Sequence, residues 1–103
     1  SLLVQFDGHR EEQGDIRVFY KLMRDDGDTT HTTYIPFNTN GSPDKTVNPN
    51  KNSKTFSEYK FSAENTAQFN GFMIKVVMTS TNQAKPPRIK NFRAIALRSF
   101  DIQ

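Results

Sequence analysis

His9 and His31 are the only imidazoles in this sequence, and imidazoles are the side chains that most often act as bases near neutral pH. A nucleophilic site needs such a base beside a Ser or Thr and a third group that orients it. His9 lies in a charged segment and His31 lies among threonines, and neither is near a Gly-x-Ser-x-Gly turn. We therefore predict two exposed polar histidines, no catalytic residue and a protein that is not an enzyme.

Three carboxylates surround one glycine at Asp25-Asp26-Gly27-Asp28, a composition that suggests a calcium loop. The alternate-position carboxylates and the terminal glutamate of an EF-hand are missing, whereas Asp-Gly is typical of a hairpin turn. The sequence has no cysteine, and no two histidines stand four residues apart, which removes the common zinc motifs. We predict a solvated turn at 24–28, no metal site and no cofactor.

Lys85, Arg88 and Lys90 form a basic group near the C-terminal end of the chain. Residues 1–50 carry 5 basic and 8 acidic side chains, whereas residues 51–103 carry 9 basic and 3 acidic ones. Such asymmetry can steer a partner of opposite charge. We predict that Lys85, Arg88 and Lys90 contact an acidic neighbouring subunit. Because the net charge is only +3 and we assign the nearby Phe92 to the core, we expect no nucleic-acid partner.

Six segments have the apolar or alternating patterns of β-strands, whose side chains repeat with a period of two. They are 2–6, 16–22, 32–37, 56–61, 72–78 and 89–97. Segment 72–78 is apolar on both faces, which predicts a central strand, and the imperfect alternation of 89–97 predicts a bulge. The long segment 38–54 is rich in Asn and Pro, which predicts a mobile loop.

Many short strands and turn-rich connections, without a sustained helical period, favour an all-β fold. We predict a single antiparallel β-sandwich over residues 1–103, jelly-roll-like in topology. Apolar residues are only 34% of the chain, so the core should be thin. Its large members should be Tyr34, Phe56, Tyr59, Phe61, Phe72 and Phe92. An apolar strand directly after Ser1 leads us to expect a fragment of a larger protein. No apolar run approaches the roughly 20 residues of a membrane helix, so we expect no membrane insertion.

The block from Phe72 to Leu97 resembles a pattern found in tail structural proteins of T4-like contractile-tail bacteriophages. It reads as an Ile74-Lys75-Val76-Val77-Met78 strand, a Thr79-Ser80-Thr81-Asn82 turn, a Pro87-Arg88-Ile89 step and a closing Arg93-Ala94-Ile95-Ala96-Leu97 strand. Segments 15–24 and 56–61 are similar to further strands of that family. The resemblance implies a non-enzymatic structural or assembly domain of a tail, baseplate or tail-fibre-like protein. It also implies other tail or baseplate subunits as partners and the virion as the location.

A carbohydrate-binding or host-receptor-binding β-sandwich module is the alternative interpretation. Loops 8–15, 38–54 and 79–88 would then form the site for a host surface glycan. Small-molecule sites commonly combine aromatic walls with a few polar groups, and the sequence has no Trp and only three Tyr. Phe19 lies on the less apolar face of its strand, and we predict that it packs in an interface or under a loop.

Overall fold

The computed structural model describes residues 1–23, 33–52, 54–64, 66, 69–82 and 84–97. Six strands run through them: β1 Leu2–His9, β2 Gly14–Met23, β3 Ile35–Pro36, β4 Ser57–Ala63, β5 Gly71–Ser80 and β6 Arg88–Ala96. A short 3₁₀ turn, Phe37–Thr39, follows β3. Strand β3 is shorter than predicted and ends at Pro36, which has no N–H to donate to a ladder. The predicted turn at 24–28 and His31 lie outside the described residues.

The strands form two antiparallel sheets that pack face to face. The first sheet has the order β4-β1-β6 and the second has the order β3-β2-β5. This arrangement confirms the antiparallel β-sandwich. β1 pairs with β6, and β2 pairs with β5. The second pair lies inside the first along the chain, as in a long hairpin whose two arms fold back together. The jelly-roll-like character is limited to this nesting, since a full jelly roll has about eight strands and the described ranges contain six. Within these ranges no helix is long and apolar enough to cross a membrane.

Strand β5 was predicted to be central, and that prediction was wrong for the part of the chain that the structure describes. β5 lies at the edge of its sheet, and β2 occupies the centre. The apolar residues on the outer side of β5 misled the prediction, because no second layer of described residues covers them. Met73 is 45% exposed, for example. An apolar pattern on both faces of a strand therefore did not mean burial on both faces here.

The core is small and aromatic. Its nine buried side chains come from β1, β2, β4 and the 3₁₀ turn, and they are Leu2, Val4, Phe6, Ile16, Val18, Leu22, Phe37, Tyr59 and Phe61. Phe6 stacks on Tyr59 at 5.3 Å and on Phe61 at 5.5 Å between ring centroids. Two of the predicted core aromatics, Tyr59 and Phe61, are thus confirmed. Tyr34, Phe56 and Phe72 are only half-buried.

A bulge interrupts β6, as its alternation predicted. Gln5 pairs with Arg93 and Asp7 pairs with Lys90, so two residues of β6 stand opposite Phe6. The first of them, Asn91, has a φ of 56°, in the left-handed region that Asn tolerates better than most residues. The second, Phe92, is displaced to the rim and is 44% exposed, although its ring still stacks on Phe6 at 6.2 Å. The assignment of Phe92 to the core was therefore wrong.

The segment 38–54 is tied to both of its neighbours by hydrogen bonds. The Asp44 N–H donates to the Lys60 carbonyl at 2.8 Å, and the Asn50 N–H donates to the Arg10 carbonyl at 2.7 Å. The Arg10 guanidinium in turn donates to the Val47 carbonyl at 2.7 Å. These bonds join the loop to β4 and to the connection between β1 and β2, which argues against the mobility expected from its composition.

Candidate functional site

The basic residues of β6 lie on the outer face of the first sheet. Strand alternation puts Arg88 and Lys90 on one face and Ile89 on the other. In the register of the sheet, Arg88 pairs with His9 and Lys90 pairs with Asp7, while Ile89 pairs with Gly8 on the core side. The period of two in β6 thus directs both cations away from the core.

Phe56 holds these two cations next to each other. The Lys90 Nζ lies 4.1 Å and the Arg88 Cζ lies 5.4 Å from the centroid of its ring. His9 tilts against the same ring at 5.8 Å between centroids. Cation–π contacts at exposed sites contribute about 0.5–1 kcal/mol each, which is enough to bias two long side chains toward fixed positions. Phe56 therefore acts as a surface platform and not as the core residue that we predicted.

Three loops meet beside Phe56 and enclose a cleft of about 570 Å³. Its walls are His9, Glu11, Lys51, Ala84, Lys85, Pro86 and Arg88. Glu11 comes from the β1–β2 connection, Lys51 from the 38–54 segment, and Lys85 from the turn before β6. These are the three loops from which the sequence placed the alternative glycan site.

The structure brings the predicted group Lys85, Arg88 and Lys90 to one surface. Lys85 and Arg88 share the cleft, and Arg88 and Lys90 share the ring of Phe56. We call these three residues with Phe56 the basic surface. The sequence analysis missed Phe56 as part of it, although the alternation of 56–61 had put this residue on the same face as the polar Glu58 and Lys60.

Positive charge dominates the cleft. Among the described residues that line it, Lys51, Lys85 and Arg88 are positive and Glu11 is negative. The Lys85 Nζ lies 3.5 Å from the Glu11 Oε1, so part of that positive charge is compensated within the cleft. Positive side chains still outnumber negative ones among the described lining residues, and a concave wall of one sign raises the local concentration of anions.

Hydrogen bonds fix the backbone around the cleft. The Ala84 N–H donates to the Asn82 side-chain oxygen at 3.0 Å, and the Lys85 N–H donates to the Asn82 carbonyl at 3.1 Å. The Thr81 N–H donates to the Gln13 carbonyl at 3.1 Å and joins this turn to the β1–β2 connection. These bonds join the loops that line the cleft to one another.

His9 is buried, with only 3% of its surface exposed, so its prediction as an exposed histidine was wrong. It is the last residue of β1, and the segment around Thr55 and Phe56 covers it. Its Nδ1 lies 2.8 Å from the Thr55 carbonyl. Because a carbonyl only accepts, Nδ1 carries the proton of this hydrogen bond. A backbone carbonyl, and not a carboxylate, therefore orients this imidazole.

The described ranges contain no group of three or more His, Asp or Glu side chains that could hold a metal ion. The cluster Asp25-Asp26-Gly27-Asp28 lies outside those ranges.

A second group of aromatic rings and lysines lies on the outer face of the second sheet. Tyr34 has the Lys21 Nζ at 5.1 Å and the Lys75 Nζ at 5.3 Å from its ring centroid. Phe19 is half-buried, and the same Lys75 Nζ lies 5.9 Å from its centroid. These lysines belong to strands of the other sheet, and neither is among the residues that line the cleft.

Relatives could indicate which of these surfaces binds a partner. Comparisons of the chain with protein-family models, with curated proteins and with solved structures found no match.

Proposed function

We propose that this protein is a non-enzymatic structural domain that docks onto an acidic surface of a neighbouring protein through Lys85, Arg88 and Lys90. One observation carries the proposal: Arg88 and Lys90 both stand over Phe56, and Arg88 also lines the cleft that contains Lys85. Isolated surface charges contribute little. A preorganised cluster loses less side-chain entropy on binding and recognises the charge pattern of a partner.

The setting of this interaction is proposed from the resemblance in residues 72–97. It favours a tail, baseplate or tail-fibre-like protein of a T4-like phage, with other tail or baseplate subunits as the acidic partners and the virion as the location. The fold is compatible with that role, because a β-sandwich with a small core gains stability when a neighbour covers its surface. No catalytic residue is needed for it.

Titration of the isotopically labelled 103-residue chain with poly-glutamate tests the docking surface. We expect amide shifts to concentrate in residues 85–90 and to weaken as salt rises, because salt screens exposed charges. The variant Lys85→Gln/Arg88→Gln/Lys90→Gln loses three exposed ion pairs with glutamate side chains of the ligand. Together these pairs contribute about 1–3 kcal/mol to binding. The affinity should fall by roughly 5- to 150-fold.

A matched control removes the same charge elsewhere. The variant Lys21→Gln/Lys45→Gln/Lys75→Gln should bind poly-glutamate almost as well as the unaltered chain, because none of these residues belongs to the basic surface. Equal losses in both variants would mean that only net charge matters and would reject the docking surface. Tighter binding of a single-stranded oligonucleotide than of poly-glutamate would favour a nucleic-acid role instead, since Phe92 is exposed between Lys90 and Arg93.

Saccharide binding is a second candidate function, and the meeting of the three loops around the cleft favours it. A cleft of about 570 Å³ lies within the roughly 300–1,000 Å³ typical of small-molecule sites. A glycan array probed with the 103-residue chain would test this function. Specific retention of a saccharide would support it, and retention of none would reject it.

A further inference from the structure

We infer that the outer face of the second sheet is a further docking surface, which binds a protein segment that carries both apolar side chains and carboxylates. We call it the aromatic face, and its residues are Phe19, Lys21, Tyr34, Met73 and Lys75. It shares no residue with the basic surface, so it would give the domain a second partner contact, on its other sheet.

The period of two in β2 and β5 places these residues on one face. Alternate residues of β2 fill the core, so Phe19 and Lys21 point to the other side of the sheet. In the register of the sheet, Phe19 pairs with Lys75, and Lys21 pairs with Met73. Tyr34 directly precedes β3, the strand on the other side of β2. The face therefore combines residues from three neighbouring parts of the sheet.

Both lysines of the aromatic face lie against aromatic rings. The Lys75 Nζ is 5.3 Å from the ring centroid of Tyr34 and 5.9 Å from that of Phe19. The Lys21 Nζ is 5.1 Å from the ring centroid of Tyr34. These contacts restrict both ammonium groups to positions beside the rings. A partner carboxylate that reaches this face therefore meets charges of opposite sign whose positions are already restricted, which reduces the entropy lost on binding.

The aromatic face also presents apolar surface to a partner. Met73 is 45% exposed, and the rings of Phe19 and Tyr34 are half-buried. Aromatic residues and Met are enriched at protein–protein interfaces, and the unbranched Met side chain adapts to the shape of a partner. Covering this surface requires apolar side chains from the partner. Poly-glutamate offers only charge, and exposed charge pairs contribute little, so it should bind here weakly.

The arrangement of charged and apolar side chains favours a protein over a lipid surface. Along β2, Phe19 is followed on this face by Lys21, and along β5, Met73 is followed by Lys75. The register sets Phe19 beside Lys75 and Lys21 beside Met73. Charged and apolar groups thus alternate in both directions. A folded protein segment can match such an alternation with fixed side chains, whereas a bilayer separates its charged headgroups from its apolar tails into layers.

Amide-detected NMR titrations of the 103-residue chain with a glutamate–tyrosine copolymer and with poly-glutamate test the inference. We expect the copolymer to shift the amides of residues 19–21 and 73–75, and poly-glutamate to shift them far less. Equal shifts of these amides by the two polymers would mean that the face responds to charge alone, and would overturn the inference. An absence of shifts with the copolymer would also overturn it. Neither result would change the response of residues 85–90, by which the basic surface is judged.

Vesicles of anionic phospholipid are the competing ligand. If the chain binds them more tightly than it binds the copolymer, and if Met73→Gln abolishes that binding, the face belongs to a lipid surface and the inference is overturned. We expect the copolymer to bind more tightly.

Two methionines of β5 provide a matched pair of variants. Met73 and Met78 are 45% and 44% exposed, but Met78 pairs with Ile16 on the core side of the sheet. Met73→Gln should weaken copolymer binding at the aromatic face by about five- to tenfold, the effect of losing the apolar contact of a half-exposed side chain. Met78→Gln should leave it unchanged. Equal losses in the two variants would contradict a docking surface on this side of the sheet.

Lys75→Gln tests the contribution of charge, because this lysine contacts both rings. The variant should weaken copolymer binding at residues 19–21 and 73–75 by about two- to fivefold and reduce its dependence on salt. Unchanged affinity and unchanged salt dependence would contradict the need for carboxylates in the partner. Amide spectra of each variant would establish that the fold is retained.

Discussion

Gly8 allows β1 to pass under the ring of Tyr59, and replacing it should cost stability. A Cβ built at Gly8 would lie 2.6 and 2.7 Å from two ring carbons of Tyr59, closer than side chains approach in folded proteins. The ring cannot easily move, because Tyr59 is 1% exposed and stacks on Phe6 at 5.3 Å. Overpacking of this kind costs about 1–3 kcal/mol, and the lower entropy of the unfolded alanine chain offsets about 0.4–1 kcal/mol of it. We therefore expect Gly8→Ala to lower the free energy of unfolding by about 1–2 kcal/mol.

The matched control for Gly8→Ala is Gly71→Ala, another glycine in a strand. A Cβ at Gly71 meets only the tip of the flexible Met23 side chain, at 3.1 Å. Urea and thermal unfolding followed by circular dichroism would measure both variants. Gly8→Ala should lower the Tm by about 4–16 °C, while Gly71→Ala should leave it unchanged or slightly raised. Equal Tm values for Gly8→Ala and the unaltered chain would refute the packing of β1 against β4, which also positions His9 and Phe56.

Three further predictions concern the 38–54 segment and the core. Partial burial raises the pKa of Asp44, but hydrogen bonds from Ser62 and Asn38 and the charge of Lys60 outweigh it and hold that pKa below its ordinary value of 3.8. The ionised carboxylate thus stabilises the fold above about pH 4, and this contribution is lost as the pH falls through the lowered pKa. The unaltered chain should therefore be more stable than Asp44→Asn at pH 7, and urea unfolding should show this difference shrinking between pH 7 and pH 3. A difference that does not change with pH would contradict the prediction. Hydrogen exchange should show the amides of Asp44 and Asn50 protected, because they donate to Lys60 and Arg10; exchange at the rate of an unstructured chain would instead support the mobility expected from composition. The buried Tyr59 hydroxyl makes no hydrogen bond of good geometry among the described residues, although burial raises its pKa and the nearby Arg10 guanidinium lowers it. Tyr59→Phe should therefore raise the free energy of unfolding by about 1 kcal/mol, and a loss of that size would indicate that the Arg10 guanidinium donates to this hydroxyl.

Local alternation predicted the strands well, because burial on one face imposes a period of two. It failed where exposure differs along one face. Strand β1 extends to His9, three residues further than predicted. Gly8 lies on the core face of this strand, directly against the ring of Tyr59, although it has no apolar side chain to mark that face in the sequence. Phe92 follows the apolar pattern, but the bulge at Asn91 displaces it to the rim. The alternation indicated the bulge, but not which way the displaced ring would point.

The candidate site was only partly predictable from the sequence. Lys85, Arg88 and Lys90 lie close in the chain, so their clustering followed from local spacing. Lys51 and Glu11 reach the same cleft through the pairing of β1 with β6 and the bond between Asn50 and Arg10. Such long-range contacts leave no periodic trace in the sequence. The alternative glycan hypothesis named the three loops that line the cleft, but the sequence did not show the charge of the cleft between them.

The salt dependence of poly-glutamate binding tests the central claim most directly. The affinities of the unaltered chain and of Lys85→Gln/Arg88→Gln/Lys90→Gln would be compared by isothermal titration calorimetry between about 0.01 and 0.15 M salt, where the Debye length falls from roughly 30 to 8 Å. We predict a steep loss of affinity with salt for the unaltered chain, and weak binding that is nearly independent of salt for the variant. Equal affinities and equal salt dependence in the two proteins would contradict a docking role for this basic surface.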